Sequence, residues 1–102
     1  MAFNGTEGGE ISLEQASDLT ANYRTENPRA IKAHFFGKDI LLSMLEQEGC
    51  EGIRIYQGLD NEGVGKVVLA GADSHEDDML DLLADFSVPC PGVCGKSNPL
   101  NS

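Results

Sequence analysis

Three cysteines are the residues with the clearest potential for chemistry in this sequence. Cys90 and Cys94 enclose a turn-prone stretch in "VPCPGVCGK", and Cys50 lies far upstream in "QEGCEGIRIY". Structural zinc sites commonly use cysteine pairs separated by two to four residues, and the spacing of Cys90 and Cys94 fits that range. Cys50 would be a third thiolate ligand, and a fourth would have to be His34, His75 or an acidic residue. The sequence therefore allows a zinc or iron–sulfur site.

Two other interpretations of the cysteines stay open. A turn can bring Cys90 and Cys94 within disulfide range, so they could form a reversible redox pair. A reactive thiol needs nearby cations, however, and only Lys96 is close in sequence within a strongly acidic chain. The third interpretation is that the thiols are small side chains without chemistry. A structural role is likewise expected for His34, which precedes two phenylalanines.

The charge balance excludes some classes of partner. The chain has 102 residues, with 7 Lys and Arg against 17 Asp and Glu, and a formal net charge of −10. Such a surface repels phosphate backbones and anionic headgroups, and no cluster of basic residues offers a local exception. We therefore expect neither nucleic acid nor a membrane as partner.

Several features favour a cytoplasmic protein. No apolar run approaches the roughly 20 residues that a membrane-spanning helix requires. The N-terminal stretch "MAFNGTEGGE" lacks the basic and apolar regions of a secretory signal. An odd number of cysteines also differs from the even disulfide frameworks typical of small secreted domains.

The hydrophobic pattern predicts an α+β fold, with two to three helices packed on a small antiparallel β-hairpin or sheet. Ser12 and Gln15 form a capping-box pattern before an amphipathic helix in "ISLEQASDLTANY". "KDILLSMLEQEG" has helical periodicity up to Gly49. Alternation then predicts two strands, "GIRIYQG" and "KVVLAGAD". Because a two-stranded sheet alone is marginal in water, this hairpin needs the helices, a further strand or another chain.

The remaining segments complete the predicted organisation. Residues 1–10 are expected to form a flexible N-terminal arm, followed by a single domain over 11–102. "AIKAHFF" suits either a short extended segment or a helical turn. "SHEDDMLDLLADF" predicts a third, short helix, because Ser74 can cap it and acidic residues follow in the first turn. Residues 88–102 are rich in Pro, Gly, Ser and Asn, which predicts an irregular tail.

The stretches "GCEGIRIY" and "CPGVC", together with "FGK" at the start of a helix, resemble a small family of stand-alone bacterial proteins from the Bacteroidota. The resemblance extends from about Ile11 onward and follows the family patterns GCxGIRIY and CPxxC. It implies no activity, cofactor or partner, because the family has no assigned function. It does imply that Cys50, Cys90 and Cys94 belong to one pattern, which supports a thiol or metal site.

A looser similarity is to A-type iron–sulfur carriers, which combine a glycine-cysteine turn before a strand with a C-terminal cysteine pair. Those carriers end in Cys-Gly-Cys, whereas this chain has three residues between Cys90 and Cys94. They are also richer in β-structure than the two strands predicted here. This similarity therefore suggests a test for an iron–sulfur cluster, but it does not assign a cluster to this chain.

These observations support three hypotheses of function. We expect a small acidic, non-enzymatic protein without a cofactor, which associates with itself or with a protein partner because a slender sheet leaves strand edges to cover. The second hypothesis is a thiolate site for zinc or an iron–sulfur cluster, built from the three cysteines. The third is an enzyme that uses Cys50 or His34 with Tyr56 and Arg54, which no spacing in the sequence requires.

Overall fold

Two helices and five strands are formed by residues 2–102, the part of the chain that the computed structural model describes. The chain divides into two compact units. The sheet unit contains the residues up to Gly8 together with Phe36–Ser87, and the helix unit contains Gly9–Phe35 together with Val88–Ser102. The mixed architecture confirms the predicted α+β class. In chain order the elements are α1 (Leu13–Glu26), β1 (Ala33–Phe35), α2 (Lys38–Leu45), β2 (Cys50–Leu59), β3 (Gly65–Asp73), β4 (Asp78–Ala84) and β5 (Val88–Cys90).

The sheet unit is built on the antiparallel hairpin of β2 and β3, as the alternating sequence pattern predicts. The pairing runs without interruption from Gly52 opposite Ala72 to Leu59 opposite Gly65. Asp60 organises the connecting turn, because its Oδ1 accepts hydrogen bonds from the backbone N–H groups of Glu62 and Val64.

β3 is the central strand and is buried along most of its length. Val67, Leu69, Ala70 and Ala72 each expose 6% or less of their surface. Buried backbone N–H and C=O groups must find hydrogen-bond partners, and a single neighbouring strand satisfies only one side of β3. A third strand is therefore required on its other side.

That third strand comes from the segment predicted to form a third helix, so this prediction is wrong. Residues 78–84 form β4, which pairs antiparallel with β3. The preceding turn depends on Asp73 rather than on Ser74, because Asp73 Oδ1 accepts hydrogen bonds from the backbone N–H groups of His75 and Asp77. The hydrophobic periodicity of a short apolar segment does not distinguish a helix from a strand. Here the segment forms a strand because the second side of β3 needs hydrogen-bond partners.

The core of the sheet unit lies between α2 and the sheet. Met44 of α2 is completely buried and forms a cluster with Leu69 and Ala84. Five partly buried apolar side chains pack against this cluster: Phe36, Ile40, Leu41, Ile53 and Leu82. On α2, Ile40, Leu41 and Met44 thus contribute to this core, whereas Leu45 is 46% exposed.

The helix unit contains α1, whose predicted capping box is present. The Ser12 hydroxyl accepts a hydrogen bond from the backbone N–H of Gln15, and the Gln15 side chain accepts one from the backbone N–H of Ser12. The helix ends at Glu26, before Asn27 and Pro28, because the residue that precedes a proline avoids helical geometry. None of the helix residues is buried, so local capping and not core packing defines this element.

β1 and β5 form a second, two-stranded antiparallel sheet in the helix unit. The segment "AIKAHFF" therefore contributes a strand, and this strand pairs with the start of the predicted irregular tail instead of with the hairpin. The rest of the tail consists of turns that are hydrogen-bonded to α1 and to the segment before β1. Carbonyl oxygens of Pro99, Leu100 and Asn101 accept hydrogen bonds from the side chains of Ser17, Arg24 and Lys32, respectively.

Met44→Ala should lower the free energy of unfolding by about 2–5 kcal/mol, because it opens a cavity in the packed cluster of the sheet unit. Leu42→Ala on the same helix is the matched control, since Leu42 is 50% exposed and surface substitutions usually change stability by about 0.5 kcal/mol or less. Urea unfolding followed by circular dichroism measures both values. Equal losses for the two variants would contradict the assigned core.

Candidate functional site

Arg54, Tyr56 and Asp78 form a hydrogen-bonded cluster on the sheet unit. Arg54 Nη1 lies 2.6 Å from Asp78 Oδ1, and the Tyr56 hydroxyl donates a short hydrogen bond to Asp78 Oδ2. Arg54 Nη1 also donates to the backbone carbonyl of Glu76 at 3.2 Å. The guanidinium carbon lies 5.3 Å from the centroid of the Phe3 ring, which is cation–π geometry. The cation is thus held by an anion, a carbonyl and an aromatic face.

The strand order explains how this cluster forms. Arg54 and Tyr56 are two residues apart in β2, so their side chains lie on the same face of the sheet. Asp78 is the first residue of β4, on the other side of β3. The intervening residues of β3 are Ala70, opposite Arg54, and Ala72, opposite Asp78. Because both are small, the long Arg54 side chain has room to reach across β3.

The cluster shifts the protonation equilibria of both charged groups. The hydrogen bond from Tyr56, followed by the hydrogen bond and positive charge of Arg54, lowers the pKa of Asp78 below its ordinary value against the opposing effect of desolvation. Asp78, followed by Tyr56, raises the pKa of Arg54 in turn. The positive charge of Arg54 is therefore paired with the negative charge of Asp78.

The cluster includes two residues that the sequence singled out and one that it did not. Arg54 and Tyr56 belong to the enzyme hypothesis, and the structure joins them through Asp78. The sequence pattern assigned Asp78 to the first turn of a helix, where its partners across the sheet could not be foreseen. No pattern in the sequence points to this pairing, because it depends on the presence of β4. The enzyme hypothesis itself stays a hypothesis.

A pocket of about 480 Å³ lies beside this cluster, between the N-terminal segment and the start of β2. Phe3, Leu45 and Ile53 provide apolar walls, and Glu7 and Glu51 provide carboxylates. The volume falls within the range of about 300–1,000 Å³ that is typical of ligand pockets. This is a candidate binding site that the sequence analysis did not identify.

The N-terminal segment is bonded to the sheet unit at the rim of this pocket. The backbone N–H of Phe3 donates a hydrogen bond of 3.2 Å to the carbonyl of Ser74. Glu7 closes a local turn, because its carboxylate oxygens accept hydrogen bonds from the backbone N–H groups of Asn4 and Gly5. Backbone N–H groups, first that of Glu7 itself and then that of Asn4, lower the pKa of Glu7. Glu7 therefore presents a negative charge at neutral pH.

A β-bulge places Glu51 at the pocket. Cys50 pairs with Asp73 and Gly52 pairs with Ala72, so Glu51 is one extra residue in β2. Bulges bend a strand locally and re-aim its side chains. A Cβ added at Gly52 would meet no heavy atom of the described residues within 4 Å, so space is open beside the bulge. The glycines around Cys50 and Glu51 in the sequence were the visible signal for this irregularity.

The structure also locates the candidate metal ligands. Cys90 and Cys94 form a disulfide in the helix unit, whereas Cys50 is a free, half-buried cysteine of the sheet unit. The Cys50 thiol donates to the backbone carbonyl of Gly52, with a sulfur–oxygen distance of 3.2 Å. His34 is half-buried in β1, opposite Pro89.

Within residues 2–102, no group of three or more His, Cys, Asp or Glu side chains is arranged to hold a metal ion. Zinc and iron–sulfur clusters bind cysteine as thiolate, and the disulfide uses the sulfurs of Cys90 and Cys94. The proposed site of Cys50, Cys90 and Cys94, with or without His34, is therefore a hypothesis about the reduced chain.

Comparison of the chain with protein-family models, with curated proteins and with solved structures finds no significant match. The resemblance to a Bacteroidota family stays a hypothesis. Each helix in the described part of the chain is too short or too polar to cross a bilayer. Disulfides are most common in oxidising compartments, whereas the sequence predicts a cytoplasmic location. That location stays a prediction.

The stability that Asp78 contributes should depend on pH. Its pKa is lower in the folded than in the unfolded chain, so its contribution is complete above the ordinary aspartate value of about 3.9 and is lost as pH falls through the folded pKa. Asp78→Asn should therefore destabilise the protein most above about pH 5, and the difference from the unmodified chain should shrink below about pH 4. Urea unfolding as a function of pH measures this difference.

Asp81→Asn is the control for this prediction, because Asp81 is an exposed carboxyl on the same strand. It removes an equal formal charge without touching the cluster. A pH dependence that is the same in both variants would show that general charge repulsion, and not the bond to Arg54 and Tyr56, governs the acid sensitivity.

The disulfide predicts one reactive thiol in the oxidised chain and three after reduction. Iodoacetamide treatment of the denatured protein, with and without dithiothreitol, counts these thiols by intact mass. Cys50→Ser should leave no alkylation site before reduction. Three adducts without dithiothreitol would contradict the disulfide, and zinc titration of the native protein before alkylation would then test the thiolate site.

Proposed function

We propose that this protein is a non-enzymatic association module, which binds an extended segment of a partner protein along the outer edge of β2. One observation carries the proposal. β2 is a ten-residue strand at the edge of its sheet, and within residues 2–102 no strand pairs with its outer side. Such an edge offers a row of N–H and C=O groups to which an extended peptide can add as a further strand.

The two edges of the sheet differ in their capacity for this mode of binding. β4 pairs with β3 only through its ends, because the register shifts by three residues between Met79 and Leu83. Irregularity of this kind is a common protection of a sheet edge. β2 contains neither proline nor lysine and stays in register from Gly52 to Leu59. The regular edge therefore favours β2 as the docking strand.

Exposed apolar side chains on β2 support strand addition. Ile55 is 61% exposed and Leu59 is 74% exposed. They are four residues apart, so they lie on the same face of the sheet. A neighbouring strand would cover both side chains and would thus add apolar burial to the main-chain hydrogen bonds.

The net charge of −10 favours a basic partner over a second copy of the chain. Two copies that associate through β2 would bring two acidic surfaces together, whereas complementary charge accelerates encounter and favours the correct partner. The occupant that we propose is accordingly an extended, basic segment of another protein. Pairing of β2 with β2 of a second copy is the competing outcome of the test.

A nine-residue peptide of alternating threonine and valine, with lysine at its centre and blocked termini, is a suitable probe. Fluorescence anisotropy should show binding, and Ile55→Lys should weaken it by about tenfold, since a lysine on an edge strand opposes strand addition. Leu80→Lys is the matched control, because Leu80 is 71% exposed on the other edge strand and gains the same charge.

Amide hydrogen exchange gives the geometric readout for the same complex. The peptide should slow exchange at alternate residues of β2, those whose N–H groups face outward, and should leave those bonded to β3 unchanged. The proposal is contradicted if no protection appears in β2, or if Ile55→Lys and Leu80→Lys weaken binding equally. A dimer in light scattering that Ile55→Lys dissociates would replace the partner by a second copy.

A further inference from the structure

We infer that the pocket at the start of β2 accommodates a basic side chain, lysine or arginine, of the bound segment. This inference rests on the proposed binding along β2 and specifies which partners that edge would select. Specificity in strand addition comes from pockets that receive alternate side chains of the added strand. The pocket adjoins β2 directly, because Glu51, Gly52 and Ile53 of this strand line it.

The walls of the pocket match the two parts of a basic side chain. Phe3, Leu45 and Ile53 are apolar surfaces that can cover an aliphatic stem. Glu7 and Glu51 supply carboxylates that can accept hydrogen bonds from an ammonium or guanidinium group. A purely apolar side chain would bring no opposite charge to these carboxylates in the filled pocket.

Arg54 also lines the pocket, but its positive charge does not cancel the preference for a basic side chain. Arg54 is paired with Asp78 at 2.6 Å, so these two charges neutralise each other. The guanidinium carbon also lies 5.3 Å from the centroid of the Phe3 ring, which is cation–π geometry. Glu7 and Glu51 are thus the uncompensated charges of the pocket, and its net charge is negative.

The backbone at the pocket leaves room for the incoming group. Glu51 is the extra residue of the bulge, and Gly52 has no side chain to occupy the adjacent space. The φ angle of Gly52 lies outside the left-handed region, so another residue can adopt the same backbone conformation. Gly52→Val therefore fills the space while it keeps the strand, which provides a blocking variant.

The test compares three peptides that are identical except for lysine, methionine or glutamate at the centre of the threonine–valine sequence. The unmodified protein should bind the lysine peptide about tenfold more tightly than the methionine peptide. Glu51→Gln should reduce this ratio by about threefold or more, and Gly52→Val should bring it close to one. Circular dichroism of each variant verifies that the fold is retained.

Glu48→Gln is the matched control, because Glu48 is exposed, lies three residues before Glu51 and does not line the pocket. It changes the net charge equally and should leave the lysine preference intact. Binding at about 0.5 M salt, where surface charges are largely screened, should weaken for the lysine peptide and retain its preference over the methionine peptide in part.

The outcomes separate this inference from the proposed function. Equal binding of the three peptides, with protection of β2, would overturn the basic pocket and keep strand addition. Equal effects of Glu51→Gln and Glu48→Gln would assign the preference to the general acidic field and would likewise overturn the pocket. Binding of none of the peptides would overturn both.

Discussion

The pairing of β3 on both sides is the constraint on which the sheet unit depends. This strand is buried along most of its length, so its buried backbone polar groups have little access to water and must bond to neighbouring strands. β2 satisfies one side through a regular hairpin, and β4 satisfies the other through an irregular pairing. Met44 and its partners can form a core only because three strands together present a surface wide enough to cover.

The same arrangement creates the charged cluster and the pocket. A two-stranded hairpin would leave Arg54 without Asp78, which arrives on β4. With Asp78 in place, the guanidinium is fixed beside the Phe3 ring, and the N-terminal segment bonds to the turn before β4 through Ser74. The candidate site is therefore a consequence of sheet order and not of any contiguous motif.

The parts of the fold that the sequence predicts are those that local physics decides. The capping box of Ser12 and Gln15 acts within one helical turn, so it could be recognised without tertiary information. The alternation of β2 and β3 was equally visible. Residues 78–84 were misassigned because acidic residues and spaced leucines satisfy helical rules locally, while the need of β3 for a second neighbour arises only in the folded unit.

Sequence patterns predict less of the candidate site than of the fold, for a related reason. The cysteines are recognisable as candidate site residues from their residue type alone, yet two of them form a disulfide. The pocket depends instead on where ordinary residues lie: a bulge at Glu51, a glycine at position 52 and two carboxylates that approach from different segments. Positions of this kind follow from register, which a single sequence does not encode in any short pattern.

The acidity of the chain and its long edge strand are best understood together. An exposed regular edge is an aggregation hazard, and natural proteins usually protect it with lysine, proline or a bulge along its length. β2 has a bulge only at its beginning, before eight residues in continuous register. A net charge of −10 provides a different protection, because every copy of the chain repels every other copy before two edges can meet. Long-range repulsion of this kind opposes association with other acidic chains, including further copies of this one. If a partner segment adds to β2 as proposed, the same net charge that opposes self-association also favours a basic segment over an acidic one.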